Sequence, residues 1–407
     1  MNILMLLYKD IHFDARVKRE ALALAEAGHQ IYLACVREYQ SPPPHIHNNI
    51  KLIRTNISVK SIKSSISNGT STKKKPTILN RLLVWTVRTP VVKIIKDYLA
   101  YYEFYKKVKS SVSGMKIDVI HCHDLNTLWQ GSMLAKDFSA KLVYDSHEIF
   151  NEMAGRNRLD RIVGYRVENL LFKKIDYFVT VNEFLRDYLF KKNGKKPSVL
   201  IQNIPIFDQQ DLNANQDMFA KYGFTKADTI LLYQGGFSPY RGLELIIKAM
   251  GKLPAHFKLV MIGSGVLKEE LEKLVTTLQL EQRVFFHEQV PSEELMKYTA
   301  QAHIGLVMYE KVSKNNYYST PNKIFEYLQA GIPAVSSNHP GKSVIIEKYK
   351  TGVLVDENVE AVVNGIHEVM NQYNQFQENC FQAQKELTWD NEKQKLVQLY
   401  QQLAEQS

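Results

Sequence analysis

Residues 319–335 read Ser-Thr-Pro-Asn-Lys-Ile-Phe-Glu-Tyr-Leu-Gln-Ala-Gly-Ile-Pro-Ala-Val. Thr320 suits a helix N-cap and Pro321 the first helical position, where a missing N–H costs nothing. Ile324, Tyr327 and Leu328 recur at helical spacing. Gly331 predicts the stop, Pro333 prevents a restart, and a short buried strand should follow. A helix start offers unsatisfied N–H groups and the positive end of a dipole, which makes an anion site. Lys323 adds a cation there. Glu326, about one and a half turns further in, is placed to accept hydrogen bonds from a sugar diol. The segment is expected to hold a phosphate and a ribose together; the alternative is an ordinary capped helix with a surface lysine and glutamate.

Outward from this segment, short apolar runs alternate with helical patterns, the signature of a doubly wound α/β protein. In the first half the spacing predicts strands at Asn2–Leu7, Gln30–Val36, Lys51–Arg54, Val119–Cys122, Lys141–Tyr144 and Tyr177–Val181. In the second half it predicts them at Val199–Gln202, Ile230–Tyr233, Lys258–Ile262, Val284–His287, Ile304–Met308, Ala334–Ser336 and Val353–Val355. A length of 407 residues suggests two or three domains. Cys35, Cys122 and Cys380 lie far apart without metal-ligand spacing and read as thiols in a reducing compartment. The apolar run Ile3–Tyr8 is too short for a signal peptide, and no stretch approaches the roughly 20 apolar residues of a membrane span. A cytoplasmic location, peripheral at a membrane, is expected.

The net charge of +10 is concentrated: residues 51–116 hold fifteen Lys and Arg against Asp97 and Glu103 alone. Lys60–Pro76, rich in Ser, Lys and Asn, is expected to be a mobile loop. Residues 79–109 mix aromatic and basic side chains at helical spacing. They suit an anionic membrane surface, or alternatively a packed helix pair with a solvated basic face. No nucleic-acid motif accompanies the charge, and no such partner is expected.

The segment at 319–335 resembles the C-terminal motif of family 4 glycosyltransferases, enzymes of two Rossmann-like domains (the GT-B architecture). The family pattern is a glutamate, seven residues, then a second glutamate. Glu326 matches the second, which in the family binds the nucleotide ribose. The first falls on Tyr318, so one usual contact to the transferred sugar is lost or replaced. Tyr233–Gly242 reads Tyr-Gln-Gly-Gly-Phe-Ser-Pro-Tyr-Arg-Gly. Glycines let the backbone approach a ligand, and Arg241 offers a fork of donors suited to a diphosphate. The family has Gly-Arg, four residues, then Lys-Gly. Gly235 and Gly242 match, Arg241 takes the lysine position, and Gly236 replaces the arginine, a loss that Lys323 is expected to offset. An exposed arginine on a strand–turn–helix is the alternative.

Met261–Gly265, with Gly263, resembles a family loop facing the nucleotide, although a tight turn would give the same pattern. Val284–Leu295, with Val290, resembles the segment whose backbone contacts the nucleobase, which leaves the base unspecified. His123 and Asp124 stand just past a strand end, and the resemblance gives His123 contact with the transferred sugar near the reacting carbon. His147 and Glu148 at the next strand end are expected to face the same cleft. His121 and His123 fall on one side of a strand, but no third ligand has convincing spacing. Neither a metal nor another cofactor is expected, the nucleotide-sugar being a substrate. The loop after the first strand lacks Gly-x-Gly-x-x-Gly, which argues against a dinucleotide there. Asp14 and Arg16 match a family pattern in that loop and would bind acceptor or cap the helix.

The resemblance implies two Rossmann-like domains facing across a cleft. The expected division is 1–198 with a basic insert at 56–116, a donor domain at 199–386, and a helix at 387–407 returning to the first domain. It implies retaining transfer from a UDP- or GDP-sugar to a saccharide or lipid-linked acceptor, in synthesis of cell-surface polysaccharide or glycolipid. His123, Glu326 and Arg241 would be catalytic. Gly235, Gly236, Gly263, Val290, Thr320, Asn322 and Lys323 would complete the donor site, and Asp14, Arg16, Asp124, His147 and Glu148 the acceptor side. The alternatives are a nucleotide-sugar epimerase or hydrolase of the same fold, and a non-catalytic sugar-nucleotide binder.

Overall fold

Seven short strands of the first half pair into one parallel sheet: β1 (Asn2–Leu7), β2 (Gln30–Val36), β3 (Ile50–Thr55), β4 (Val119–His123), β5 (Lys141–Ser146), β6 (Tyr177–Thr180) and β7 (Ser198–Leu200). Their order is β3-β2-β1-β4-β5-β6-β7. Helices α1 (Ala15–Glu26), α2 (Pro90–Ser111), α3 (Leu125–Phe138), α4 (Arg158–Phe172) and α5 (Glu183–Asn193) connect them. Ile3 to Leu6 are all fully buried, as expected of a parallel strand covered on both faces. The computed structural model describes residues 1–38, 42, 44–58, 90–153, 155–206 and 217–405. The loop expected at Lys60–Pro76 and the start of the aromatic–basic stretch lie outside them. Among the described residues no helix is long and apolar enough to cross a membrane.

The chain divides into two compact units, Met1–Ile201 with Lys393–Ser407, and Gln202–Glu392. The strand expected at Val199–Gln202 to open the second half is instead the last strand of the first sheet. Val199 pairs with Val179, and the Ile201 N–H donates to the Thr180 carbonyl at 2.8 Å. The sheet had an open edge at β6, and the nearest following apolar run satisfies it.

The second unit repeats the plan. Its strands β8 (Thr229–Gln234), β9 (Phe257–Ile262), β10 (Val284–His287), β11 (Ile304–Val307), β12 (Ala334–Ser337) and β13 (Gly352–Val355) run β10-β9-β8-β11-β12-β13, all parallel. The helices are α6 (Leu243–Met250), α7 (Lys268–Thr277), α8 (Ser292–Thr299), α9 (Lys314–Tyr318), α10 (Asn322–Gln329), α11 (Pro340–Ile346), α12 (Val359–Asn371) and α13 (Tyr373–Glu386); a last helix, α14 (Trp389–Glu405), starts in this unit and from Lys393 onward belongs to the first. Alternate strand residues feed two cores. Leu231, Tyr233, Leu259 and Met261 pack with Ile246, Ile247 and Val362, whereas Leu232, Val260 and Ile262 pack with Ile324, Tyr327 and Ile345. In both sheets the strand order reverses beside the first strand, between β1 and β4 and between β8 and β11. In open α/β sheets ligands gather outside the carboxyl ends at that reversal.

Helix α10 is held there by one ring. A Cβ on Gly305 of β11 would lie 2.1 Å from Cδ2 of Tyr327, so only glycine leaves room for it. The Tyr327 hydroxyl donates to the Leu232 carbonyl at 3.1 Å and accepts from the Gln234 N–H at 3.3 Å. At its end, the Ile332 N–H donates to Tyr327 and the Gly331 N–H to Leu328, the αL stop expected of Gly331. Its start differs from expectation. Pro321 is the N-cap, extended at φ −66° and ψ 142°, and Thr320 does not cap. The Thr320 hydroxyl donates instead to the Gly341 carbonyl at 2.6 Å, an acceptor brought close by the fold.

Candidate active site

Lys323, in the first turn of α10, points inward. Its side chain is buried, and among the described residues Nζ has no hydrogen-bond partner. Nζ lies 3.6 Å from the centroid of the Tyr233 ring, and a Cβ on Gly235 would come within 3.4 Å of it. Burial, and then the charge of Arg241, hold the Lys323 ammonium well below its usual range, with Glu326 opposing. Arg241 is aimed by a strained turn, since Tyr240 and Gly242 on either side both have positive φ. A Cβ on Gly242 would lie 2.7 Å from that of Met308. The Arg241 guanidinium sits 4.7 Å from the Tyr309 ring centroid and donates to its hydroxyl. Two basic side chains are thus held at the β8–β11 reversal, and an incoming anion would stabilise their charged forms.

Glu326 stands on the next face of α10. Its carboxylate accepts from Gln234 Nε2 at 2.5 Å, and Gln234 Oε1 in turn accepts from the Thr299 hydroxyl at 2.9 Å. Gly263, at φ 151°, is required by packing: a Cβ there would lie 2.0 Å from the Gly235 carbonyl. The two loops run backbone against backbone, with the Gly235 N–H on Ile262 and the Phe237 N–H on Ser264. The Ser264 hydroxyl donates to Gln289 at 3.0 Å, and the half-buried Val290 packs on the core beneath. Asn322 Oδ1 accepts from Asn203 at 2.8 Å. The structure therefore gathers Gly235, Arg241, Lys323 and Glu326, with Gly236 beside Ser238, while Thr320 and Asn322 turn their side chains to other partners. Sequence reasoning missed Tyr233, Gln234 and Tyr309. The first two lie within the glycine-rich stretch it quoted, and Tyr309 follows β11 with no motif of its own.

In the first unit the centre is Asp145, which sequence reasoning passed over for its neighbours. It is fully buried at the end of β5. Arg16 donates to both its oxygens, at 3.1 and 3.0 Å, and also to the Ile201 carbonyl at 2.7 Å. His147 Nε2 is 2.7 Å and His123 Nδ1 3.3 Å from Asp145 Oδ2. Burial would raise the Asp145 carboxyl, but Arg16 and His147 hold it well below the usual range. Burial likewise works against a charged His147, yet Asp145 and Asp124 outweigh it and lift that imidazole to about 9. Asp124 has φ 62° and ψ 165°, a region normally left to glycine, at a cost of about 1–3 kcal/mol. Its carboxylate accepts from the His147 N–H at 3.2 Å. Arg16 is thus buried in this network, and Asp14 caps α1 by accepting from the Val17 N–H at 3.0 Å. Glu148, half-buried, accepts at its carbonyl from Ser146.

His121 and His123 do share a side, their rings stacked 4.5 Å apart, and His121 Nδ1 is 2.7 Å from the hydroxyl of Tyr400 in α14. A third and fourth ligand that spacing did not suggest come from Glu20 and Asp145. Ligand atoms of Glu20, His121, His123 and Asp145 all lie within 4.8 Å of one another. The set has the donors for a cation. The Arg16 guanidinium already lies among its carboxylates, 2.9 Å from Glu20, and burial lifts the Glu20 carboxyl to about 7.

Solved structures share this fold over the whole chain. Sucrose-phosphate synthase from Thermosynechococcus elongatus matches over 100% of both chains with a TM-score of 0.77 at 18% identity. Anabaena HepE in complex with UDP matches over 100% of this chain and 99% of that one, with a TM-score of 0.67 at 16% identity. The fold is GT-B, α/β with two Rossmann-like parallel sheets. Residues 15–204 match Glycosyltransferase Family 4, and residues 214–387 match Glycosyl transferases group 1. The chain belongs to the family 4 (group 1) glycosyltransferases, and is a transferase.

Among its relatives, an uncharacterised glycosyltransferase of Methanocaldococcus jannaschii is 24% identical over 302 residues, 70% of this chain and 75% of that protein. The Campylobacter jejuni N-acetylgalactosamine-N,N'-diacetylbacillosaminyl-diphospho-undecaprenol 4-alpha-N-acetylgalactosaminyltransferase is 27% identical over 201 residues, 48% of this chain and 52% of that protein. The GDP-mannose-dependent alpha-(1-6)-phosphatidylinositol monomannoside mannosyltransferase of Mycolicibacterium smegmatis is 22% identical over 273 residues, 61% of this chain and 68% of that protein.

The His147–Asp145 pair predicts a pH dependence of stability. Because His147 is raised from 6.5 to about 9, its charged form contributes fully below pH 6.5 and is lost as pH rises through about 9. Urea unfolding should show a loss of about 3 kcal/mol across that window, flattened in Asp145→Asn. The variant itself should be about 3–5 kcal/mol less stable, since it removes the carboxylate that pairs with both the buried Arg16 and His147. Equal pH profiles for both proteins would contradict the assignment.

Proposed function

We propose that this protein is a retaining glycosyltransferase. It moves a sugar from a UDP- or GDP-sugar to a saccharide or lipid-linked acceptor, in the synthesis of cell-surface polysaccharide or glycolipid. The observation that carries the reading is Lys323, a buried lysine with no hydrogen-bond acceptor among the described residues, next to Gly235 and in the field of Arg241. A diphosphate supplies the missing partner. In the reaction the bond from the anomeric carbon to the diphosphate oxygen breaks and the acceptor oxygen bonds to that carbon. The acceptor proton leaves with the diphosphate. Negative charge grows on the departing oxygens, where Arg241, Lys323 and the first N–H groups of α10 are already oriented, so stabilisation needs little reorganisation. Glu326, braced by Gln234, holds the ribose diol. His123 keeps the role the resemblance gives it, contact with the transferred sugar, with Asp145 beside its ring.

Two relatives support the substrate classes by their names, one acting on a diphospho-undecaprenol saccharide and one using GDP-mannose. HepE was solved with UDP. An acceptor at a membrane surface is supported by α2, where Ile95, Tyr98, Leu99 and Tyr102 form one exposed stripe leading to Lys106.

Incubation with UDP- and GDP-sugars and lipid-linked saccharides should give a product whose anomeric configuration, read by NMR, equals that of the donor. Glu326→Ala and Arg241→Ala should each lower kcat/KM about a hundredfold or more. An inverted product would refute retention, and turnover of donor without acceptor would indicate an epimerase or hydrolase instead.

The protein should also sediment with phosphatidylglycerol vesicles, and Ile95→Glu with Leu99→Glu should abolish most of that binding. Unchanged sedimentation of the double variant would remove the membrane from the reading.

A further inference from the structure

Lys342 stands in α11, outside the family motifs. Its side chain is completely buried. Nζ donates to the Asn316 carbonyl and lies 4.7 Å from the centroid of the Tyr309 ring. The same ring has Arg241 at 4.7 Å and Lys323 at 5.8 Å. Helix α11 is pressed onto the turn that leads into α10: a Cβ on Gly341 would lie 2.3 Å from the Tyr318 carbonyl and 2.4 Å from that of Ser319. Among the described residues neither Lys323 nor Lys342 forms an ion pair. Buried cations are normally paired with carboxylates, and here two lysines and an arginine crowd one tyrosine.

We propose that Lys342 is a third cation of the donor site, supplying from α11 the charge that Gly236 leaves out, and that it binds the diphosphate of the donor together with Arg241 and Lys323. This rests on the donor-site reading above. The surroundings agree with it. Burial, then Arg241, push the Lys342 ammonium down to about 7, with Glu357 of the β13–α12 loop opposing. Glu357 is itself engaged by His339 at 2.8 Å and by the Lys311 N–H. Lys323, Tyr233 and Tyr327 also face the Tyr309 ring, and His339 faces Lys342 itself. Near neutral pH the empty site therefore carries less than its full charge, and an arriving diphosphate should draw a proton onto it.

The test is calorimetric titration of the full chain with inorganic pyrophosphate and with UDP, just above neutral pH, in buffers of different ionisation enthalpy. Wild type should bind with net proton uptake. Lys342→Met should bind pyrophosphate about tenfold or more weakly and take up fewer protons, while its empty form melts no lower than wild type. Lys342→Gln keeps a donor for the Asn316 carbonyl but no charge, and should behave alike if the methionine variant fails to fold. Wild-type affinity and proton uptake in these variants would overturn the role of Lys342 alone. Wild type that binds neither probe would remove the donor-site reading, and this inference with it.

Discussion

Tyr327 occupies the space a side chain on Gly305 would need, and its hydroxyl ties α10 to the backbone of β8 at Leu232 and Gln234. Lys323 is four residues earlier on the same helix and so on the same face. Seating the helix by Tyr327 therefore carries the lysine inside. Glu326, one position before the tyrosine, is turned toward Gln234 instead. A lysine in an apolar setting loses hydration that a ring face at 3.6 Å only partly replaces. Packing creates the deficit, and an anionic ligand is the simplest way to remove it.

The first unit uses the opposite device. There the buried charges are matched: Arg16 spans Asp145 and the Ile201 carbonyl, and His147 bridges Asp145 and Asp124. Beside the network stands His123, with Nδ1 3.3 Å from Asp145 Oδ2 and neither ring nitrogen in a hydrogen bond among the described residues. The left-handed backbone of Asp124 immediately after it is the kind of strain that persists where surrounding contacts over-determine it. One unit thus presents charge awaiting a partner, the other a ring beside charges that already have theirs.

Much of this was legible in the sequence because it is local. The apolar runs marked the strands within a residue or two, and Gly331 marked the end of α10. What failed depended on residues remote in the chain. Val199 could not announce which sheet it would join. Thr320 looked like a cap because its rival acceptor, Gly341, is invisible until α11 folds back. Asp145, Glu20 and Tyr400 gather around His121 and His123 from β5, α1 and α14, and no spacing rule links those elements. Lys342 was silent for the same reason.

The most direct measurement is the affinity of wild type and Lys323→Met for UDP, GDP and ADP, read with the melting temperature of each empty protein. If α10 buries its lysine to meet a diphosphate, one nucleotide binds wild type in the micromolar range, the variant loses that binding, and the empty variant melts at or above wild type. Undiminished binding by Lys323→Met, or a variant that melts far lower without nucleotide, would show that the lysine serves the fold and contradict the account.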